Sequence, residues 1–189
     1  MINGQSVMAV IPARGSSRRV PRKNLRFFND RWLIAYSADA ARGSKYLDHF
    51  VLSSENESIL EQGRKLGIPT IERPAWLATD KAMCEGVLVH TLYTYKWADW
   101  IVLLQPTSPQ RTAADIDIAI ERAQHGIGCV TLNEYGMRNG AVYVVRSEWL
   151  IASIEFHRDL AYINYTMPNE RSLDIDYEVD FELAERKRD

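Results

Sequence analysis

The sequence predicts an α/β fold, with a mainly parallel sheet and helices on both of its faces. Short unbroken apolar runs such as Val7–Ile11 and Trp100–Leu104 have the character of strands buried on both sides. Segments with apolar residues at helical spacing alternate with these runs, which is the pattern of βα units. At 189 residues, 46% hydrophobic and 25% charged, residues 1–189 suit a single domain with a real core.

The first strand, Val7–Ile11, is ended by Pro12, and a basic loop follows it. Residues from Trp32 to Ala41 have helical spacing and stop near Gly43. His49–Leu52 reads as a second strand, Glu57–Leu66 as a helix closed by Gly67, and Ile68–Ile71 as a brief third strand. Met83–Tyr95 reads as a helix before the Trp100–Leu104 strand. Thr112 opens another helix, with Asp115 and Asp117 in its first turn and Ile116, Ile120 and Ala123 on one face. Cys129–Leu132, Ala141–Val145 and Tyr162–Tyr165 read as strands, and Glu178–Arg186 as a closing helix.

A formal net charge of −2 argues against a general nucleic-acid surface. Cys84 and Cys129 lack metal-ligand spacing and suit a reducing cytoplasm. The apolar run at Val7 lacks the flank and length of a signal peptide, and no segment is long enough to span a membrane. The expectation is a cytoplasmic protein with no membrane partner. His49, His90, His125 and His157 show no ligand spacing, and Trp76, Trp97, Trp100 and Trp149 read as core or interface anchors.

Ligands of parallel sheets bind at the carboxyl ends of strands, so the loop after the first strand carries the strongest signal. Six of the thirteen residues from Arg14 to Arg26 are Arg or Lys. Gly15, Ser16 and Ser17 allow a tight turn whose backbone N–H groups can face an anion, with Arg14, Arg18 and Lys23 around it. No Walker motif or dinucleotide fingerprint is present.

Six ordered blocks then carry a resemblance: Ile11-Pro-Ala-Arg14 with Ser17-Arg-Arg-Val-Pro-Arg-Lys-Asn24; Ser53-Ser54; Arg73-Pro-Ala-Trp-Leu-Ala-Thr-Asp80; Leu103-Leu-Gln-Pro-Thr-Ser-Pro109 with Arg111; Asn139-Gly-Ala-Val-Tyr143; and Ser172-Leu-Asp-Ile-Asp176 with Asp180 and Phe181. Together they resemble the acylneuraminate cytidylyltransferases, or CMP-sialic acid and CMP-nonulosonic acid synthetases. The resemblance implies a nucleotide-diphospho-sugar transferase-like, Rossmann-type fold. It implies transfer of CMP from CTP to a nine-carbon 2-keto sugar acid of sialic, legionaminic or pseudaminic type, releasing pyrophosphate, in cell-surface polysaccharide biosynthesis. Arg14, Lys23, Asp174 and Asp176 would be catalytic. Arg14, Gly15, Ser17, Arg18, Lys23, Asn24 and Arg73 would bind the nucleotide, and Gln105 would face the sugar. Competing readings are a catalytically weak nucleotide-binding homologue and a cytidylyltransferase acting on the eight-carbon acid Kdo.

Asp174 and Asp176 are two apart, so on an extended segment they share one face and can hold Mg²⁺ together with phosphate oxygens. Asp115-Ile-Asp117 is the same tripeptide, but at a helix start, where acids complement the dipole. Three positions depart from the family pattern. Arg18 stands for the usual Lys, and Cys84 for a common Ser. Only six residues, 133–138, join two strands where relatives carry several tens, including an arginine near the sugar acid and an extension into a partner subunit. The homodimer that the family implies therefore stays open.

Overall fold

The computed structural model describes residues 1–153 and 162–186, so His157 lies outside the described residues. The strands are β1 (Val7–Pro12), β2 (Phe27–Phe28), β3 (Arg31–Trp32), β4 (His49–Ser54), β5 (Thr70–Glu72), β6 (Trp100–Leu103), β7 (Gly128–Leu132), β8 (Arg138–Arg146) and β9 (Tyr162–Thr166). The helices are α1 (Leu33–Gly43), α2 (Glu57–Lys65), α3 (Cys84–Tyr95), α4 (Ala113–Ala123), α5 (Ser147–Ser153) and α6 (Glu178–Arg186). The main sheet has the order β5-β4-β1-β6-β8-β7-β9. β5, β4, β1 and β6 are parallel, β8 runs antiparallel to β6 and β7, and β9 pairs parallel with β7.

Both faces of the sheet are covered, as the unbroken apolar strands require. In β1, Val7, Ala9 and Ile11 point into a core shared with α1 and α4. Met8 and Val10 point the other way, into a core with Val87, Leu88 and Leu92 of α3 and Leu150 of α5. β6 repeats this period of two, with Trp100 and Val102 on the first face and Ile101 and Leu103 on the second. A third cluster joins Val20 of the basic loop, Phe28, Leu33 and Tyr36 to Ile175 and Phe181 near the carboxyl end. This apolar knot fixes the acidic segment 174–176 beside the loop after β1.

Some expectations shift. The third strand starts later, at Thr70, because Gly67 adopts a left-handed φ of 65° and the Ile68 N–H donates back to the Gly63 carbonyl of α2, so it is not free for the sheet. The short antiparallel pair β2–β3 and helix α5 were not anticipated, since two-residue strands and a seven-residue helix leave almost no periodic signal. Trp100 is fully buried and Trp149 stacks edge-on against Tyr162, but Trp76 is 69% exposed and is no core anchor. The six-residue connection is a complete hairpin turn. The N–H of Asn133 donates to the carbonyl of Met137, and the Asn133 side-chain oxygen accepts from Tyr135 and Met137 N–H groups.

Candidate functional site

The segments after β1, β5 and β6 converge at the carboxyl ends of their strands on one open cleft of about 570 Å³. Its wall includes Arg14, Ser17, Arg18, Lys23, Asn24, Arg73, Gln105 and Asp176, with Leu77, Met83 and Val87 as an apolar flank. Gly15 and Asp174, both expected at the site, do not line it.

The basic loop is braced from beneath. The Asn24 amide, 7% exposed, donates to the Arg14 carbonyl at 3.0 Å, so part of its capacity fixes loop shape. The N–H of Gly15 donates to the Glu55 carboxylate at 2.7 Å. That corrects the expectation that this N–H faces a ligand anion: an internal carboxylate already occupies it. A Cβ at Gly15 would meet the Asn56 side chain at 2.6 Å, and Asn56 caps α2 by accepting from Ile59 N–H. Gly15 thus permits close packing of loop on helix start.

Glu55 also accepts from Arg73 Nη2 at 2.9 Å, and Arg73 donates to the Ser53 carbonyl. Burial pulls the Arg73 pKa down, with the Glu55 charge opposing. Sequence reasoning missed Glu55. Its only signal was its place directly after the Ser53-Ser54 strand end.

After β6, Gln105 sits on the cleft floor against Gly140, whose φ is 72°. A Cβ at Gly140 would stand 2.5 Å from Gln105 Oε1. The buried Arg111 holds this loop on β8, donating from Nη1 to the carbonyls of Gln105 and Ala141. Desolvation pushes its pKa down to about 10. Cys84 lies beside Gln105, and burial pushes its thiol pKa up.

The two carboxylates line different pockets. Residues 172–176 belong to no strand. Asp176 borders the cleft, paired with Arg19 at 2.6 Å and Lys23 at 3.4 Å. Asp174 lines a neighbouring pocket of about 350 Å³ with Arg138 and Asn139. Burial raises the Asp174 pKa to about 6, opposed by Thr107 and reinforced by the Asp176 charge. Among the described residues its Oδ1 is buried without a hydrogen-bond partner. An electron-rich oxygen left so, near a second carboxylate, fits a hard divalent cation. Among the described residues, no three His, Cys, Asp or Glu side chains gather as a metal cluster.

Asp115 and Asp117 serve the fold, and by more than the helix dipole. Asp115, fully buried, closes a capping box with Thr112 and binds Arg171 and Tyr165. Asp117 accepts from the Ser44 hydroxyl.

The sequence profile described as cytidylyltransferase matches residues 8–151. An N-acylneuraminate cytidylyltransferase of Escherichia coli is 29% identical over 94% of this chain, and the chain spans about half (51%) of that relative's length. The aligned stretch runs to 216 residues, more than the 189 of the whole chain, so the relative carries inserted residues. A CMP-N,N'-diacetyllegionaminic acid synthase of Legionella pneumophila is 25% identical over 95% of each chain. A solved CMP:2-keto-3-deoxy-manno-octonic acid synthetase complexed with CTP superposes with a TM-score of 0.73 at 13% identity, covering 96% of this chain and 97% of that one, a likeness of fold. On the match across most of its length, the chain belongs to the cytidylyltransferase family of nucleotidyltransferases.

Proposed function

We propose that the protein transfers CMP from CTP to a nine-carbon 2-keto sugar acid of sialic, legionaminic or pseudaminic type, releasing pyrophosphate. The observation that carries this is the convergence of Arg14, Lys23, Arg73, Gln105 and Asp176 on one cleft at the carboxyl ends of parallel strands. The names of the relatives support the choice of acceptor.

In this reading the anomeric hydroxyl of the acid attacks the α-phosphorus of CTP in line, and pyrophosphate leaves. Arg14, Arg18 and Lys23 bind the triphosphate, Ser17 and Asn24 shape its loop, Arg73 lies on the nucleotide side, and Gln105 faces the acceptor. No side-chain nucleophile is required. Catalysis rests on alignment and on cations placed where phosphate charge develops. Asp174 and Asp176 would hold Mg²⁺, which when bound neutralises phosphate oxygens. The test is pyrophosphate release from CTP and Mg²⁺ with a panel of sialic, legionaminic and pseudaminic acids and Kdo. Release with a nine-carbon acid supports the proposal, and release with Kdo alone reassigns the acceptor. CTP binding without release from any acid leaves a nucleotide-binding homologue.

A further inference from the structure

Asp80 closes the Arg73–Asp80 block, and no step above uses it. Its carboxylate spends one oxygen on each of two loop arginines, with Oδ1 at 3.0 Å from Arg14 Nη1 and Oδ2 at 2.5 Å from Arg18 Nη2. All three side chains line the cleft, and the two pairs tie the loop after β1 to the segment that leads into α3. Among the described residues, neither arginine has another ion pair.

We propose that Asp80 is an internal stand-in for phosphate. It holds Arg14 and Arg18 at the cleft mouth when no polyphosphate is bound, gives them up to the triphosphate, and takes them back as pyrophosphate leaves. This rests on the reading of the loop after β1 as the triphosphate site. Carboxylate and phosphate present the same kind of anionic oxygens to a guanidinium fork, so they compete for the same donors. The exposed fractions, 37% for Arg14, 80% for Arg18 and 38% for Asp80, make the exchange easy, because solvent-screened pairs are individually weak. Once polyphosphate is seated, the Asp80 charge also repels it. Asp80 therefore lowers affinity for substrate and leaving group alike and speeds product departure. A residue that merely stabilised the loop would do the opposite when removed.

The experiment is calorimetric titration of CTP, inorganic pyrophosphate and cytidine into the wild-type chain and its variants. Asp80→Asn and Asp80→Ser should each bind CTP and pyrophosphate roughly three- to tenfold more tightly, as expected for losing two weak competing pairs. Cytidine affinity should not change, and Asp80→Glu should resemble wild type because it keeps the charge. Equal or weaker pyrophosphate binding in both neutral variants overturns the proposal. Arg14→Ala separates the two failures. If it weakens pyrophosphate binding while the Asp80 variants do not strengthen it, the loop reading stands and Asp80 alone is misassigned. If Arg14→Ala has no effect, both readings fall.

Discussion

Lys23 Nζ lies 3.4 Å from Oδ1 of Asp176 and donates at 2.7 Å to the Ile175 carbonyl, so one ammonium ties the loop after β1 to the acidic segment. Its side chain is only 12% exposed, which strengthens the contact relative to a surface pair. Lys23→Met should therefore do two things at once: remove a cation from the cleft and loosen the segment bearing Asp176. Loss of a charge-assisted hydrogen bond costs about 1.5–3 kcal/mol. CTP-dependent thermal stabilisation should drop sharply, and a full shift in the variant would place the triphosphate elsewhere.

Asp174 should trade stability for metal binding. Its folded pKa of about 6 is raised by burial above the unfolded value of about 3.9. A raised carboxyl favours the protonated fold, so its cost is absent below about pH 4, grows from there to pH 6, and is complete above. Asp174→Asn should then stabilise the metal-free protein at pH 8 by about 2–3 kcal/mol and scarcely at pH 4. The same change, like Asp176→Asn, should abolish Mg²⁺-dependent turnover, whereas Asp117→Asn should retain it. Thermal melts in chelator at the two pH values, with activity assays alongside, check this. Equal loss of activity at Asp117 and Asp176 would erase the distinction between the two tripeptides.

Glu55→Ala should leave the Gly15 N–H and the buried Arg73 without their carboxylate. Removing one partner of a buried pair costs roughly 3–5 kcal/mol. The expected outcome is a marked fall in melting temperature, with weaker CTP binding in whatever remains folded. A Glu55→Ala protein that melts like wild type would show that the Arg73 contact contributes nothing.

The strands of the main sheet, the longer helices and the basic loop were legible because each leaves a local pattern: unbroken apolar runs, helical spacing, clustered arginines. What escaped depends on tertiary contact. Glu55 looked like any acid after a strand, and only the fold brings it under Gly15 and Arg73. The i, i+2 argument for Asp174 and Asp176 presumed an extended segment. Which pocket each carboxylate borders is set by tertiary contact: Ile175 is pinned by its N–H to the Thr107 carbonyl and its side chain is buried with Val20, Phe28 and Phe181, and the flanking carboxylates border different pockets. Asp115 was assigned correctly to the helix start, but its union with Arg171 and Tyr165 joins residues 50 and 56 positions apart.

That union makes a pH-dependent prediction. Burial alone would raise the Asp115 pKa, but Arg171, the Thr112 N–H and hydroxyl, and the Tyr165 hydroxyl outweigh it and leave it lowered. A depressed carboxyl contributes stability above its unfolded pKa of about 3.9 and loses it as pH falls through the folded value. Arg171→Ala should thus melt below wild type at pH 7 by the equivalent of about 1.5–3 kcal/mol, the gap narrowing below about pH 4. A gap independent of pH would mean that Arg171 acts through packing and not through charge.

Gly140 offers a way to move Gln105 without altering it. The left-handed φ of 72° already disfavours a side chain, and a Cβ would stand 2.5 Å from Gln105 Oε1. Gly140→Ala must displace the Gln105 amide or strain β8, at roughly 1–3 kcal/mol. If Gln105 faces the sugar acid, Gly140→Ala and Gln105→Ala should both raise the Michaelis constant for the acid, by about tenfold for a cost near 1.4 kcal/mol. CTP affinity should stay near wild type, because the Arg14-to-Asn24 loop and Arg73 are untouched. Steady-state kinetics with each substrate varied in turn distinguishes these effects. A rise confined to the CTP constant would move Gln105 to the nucleotide side of the cleft.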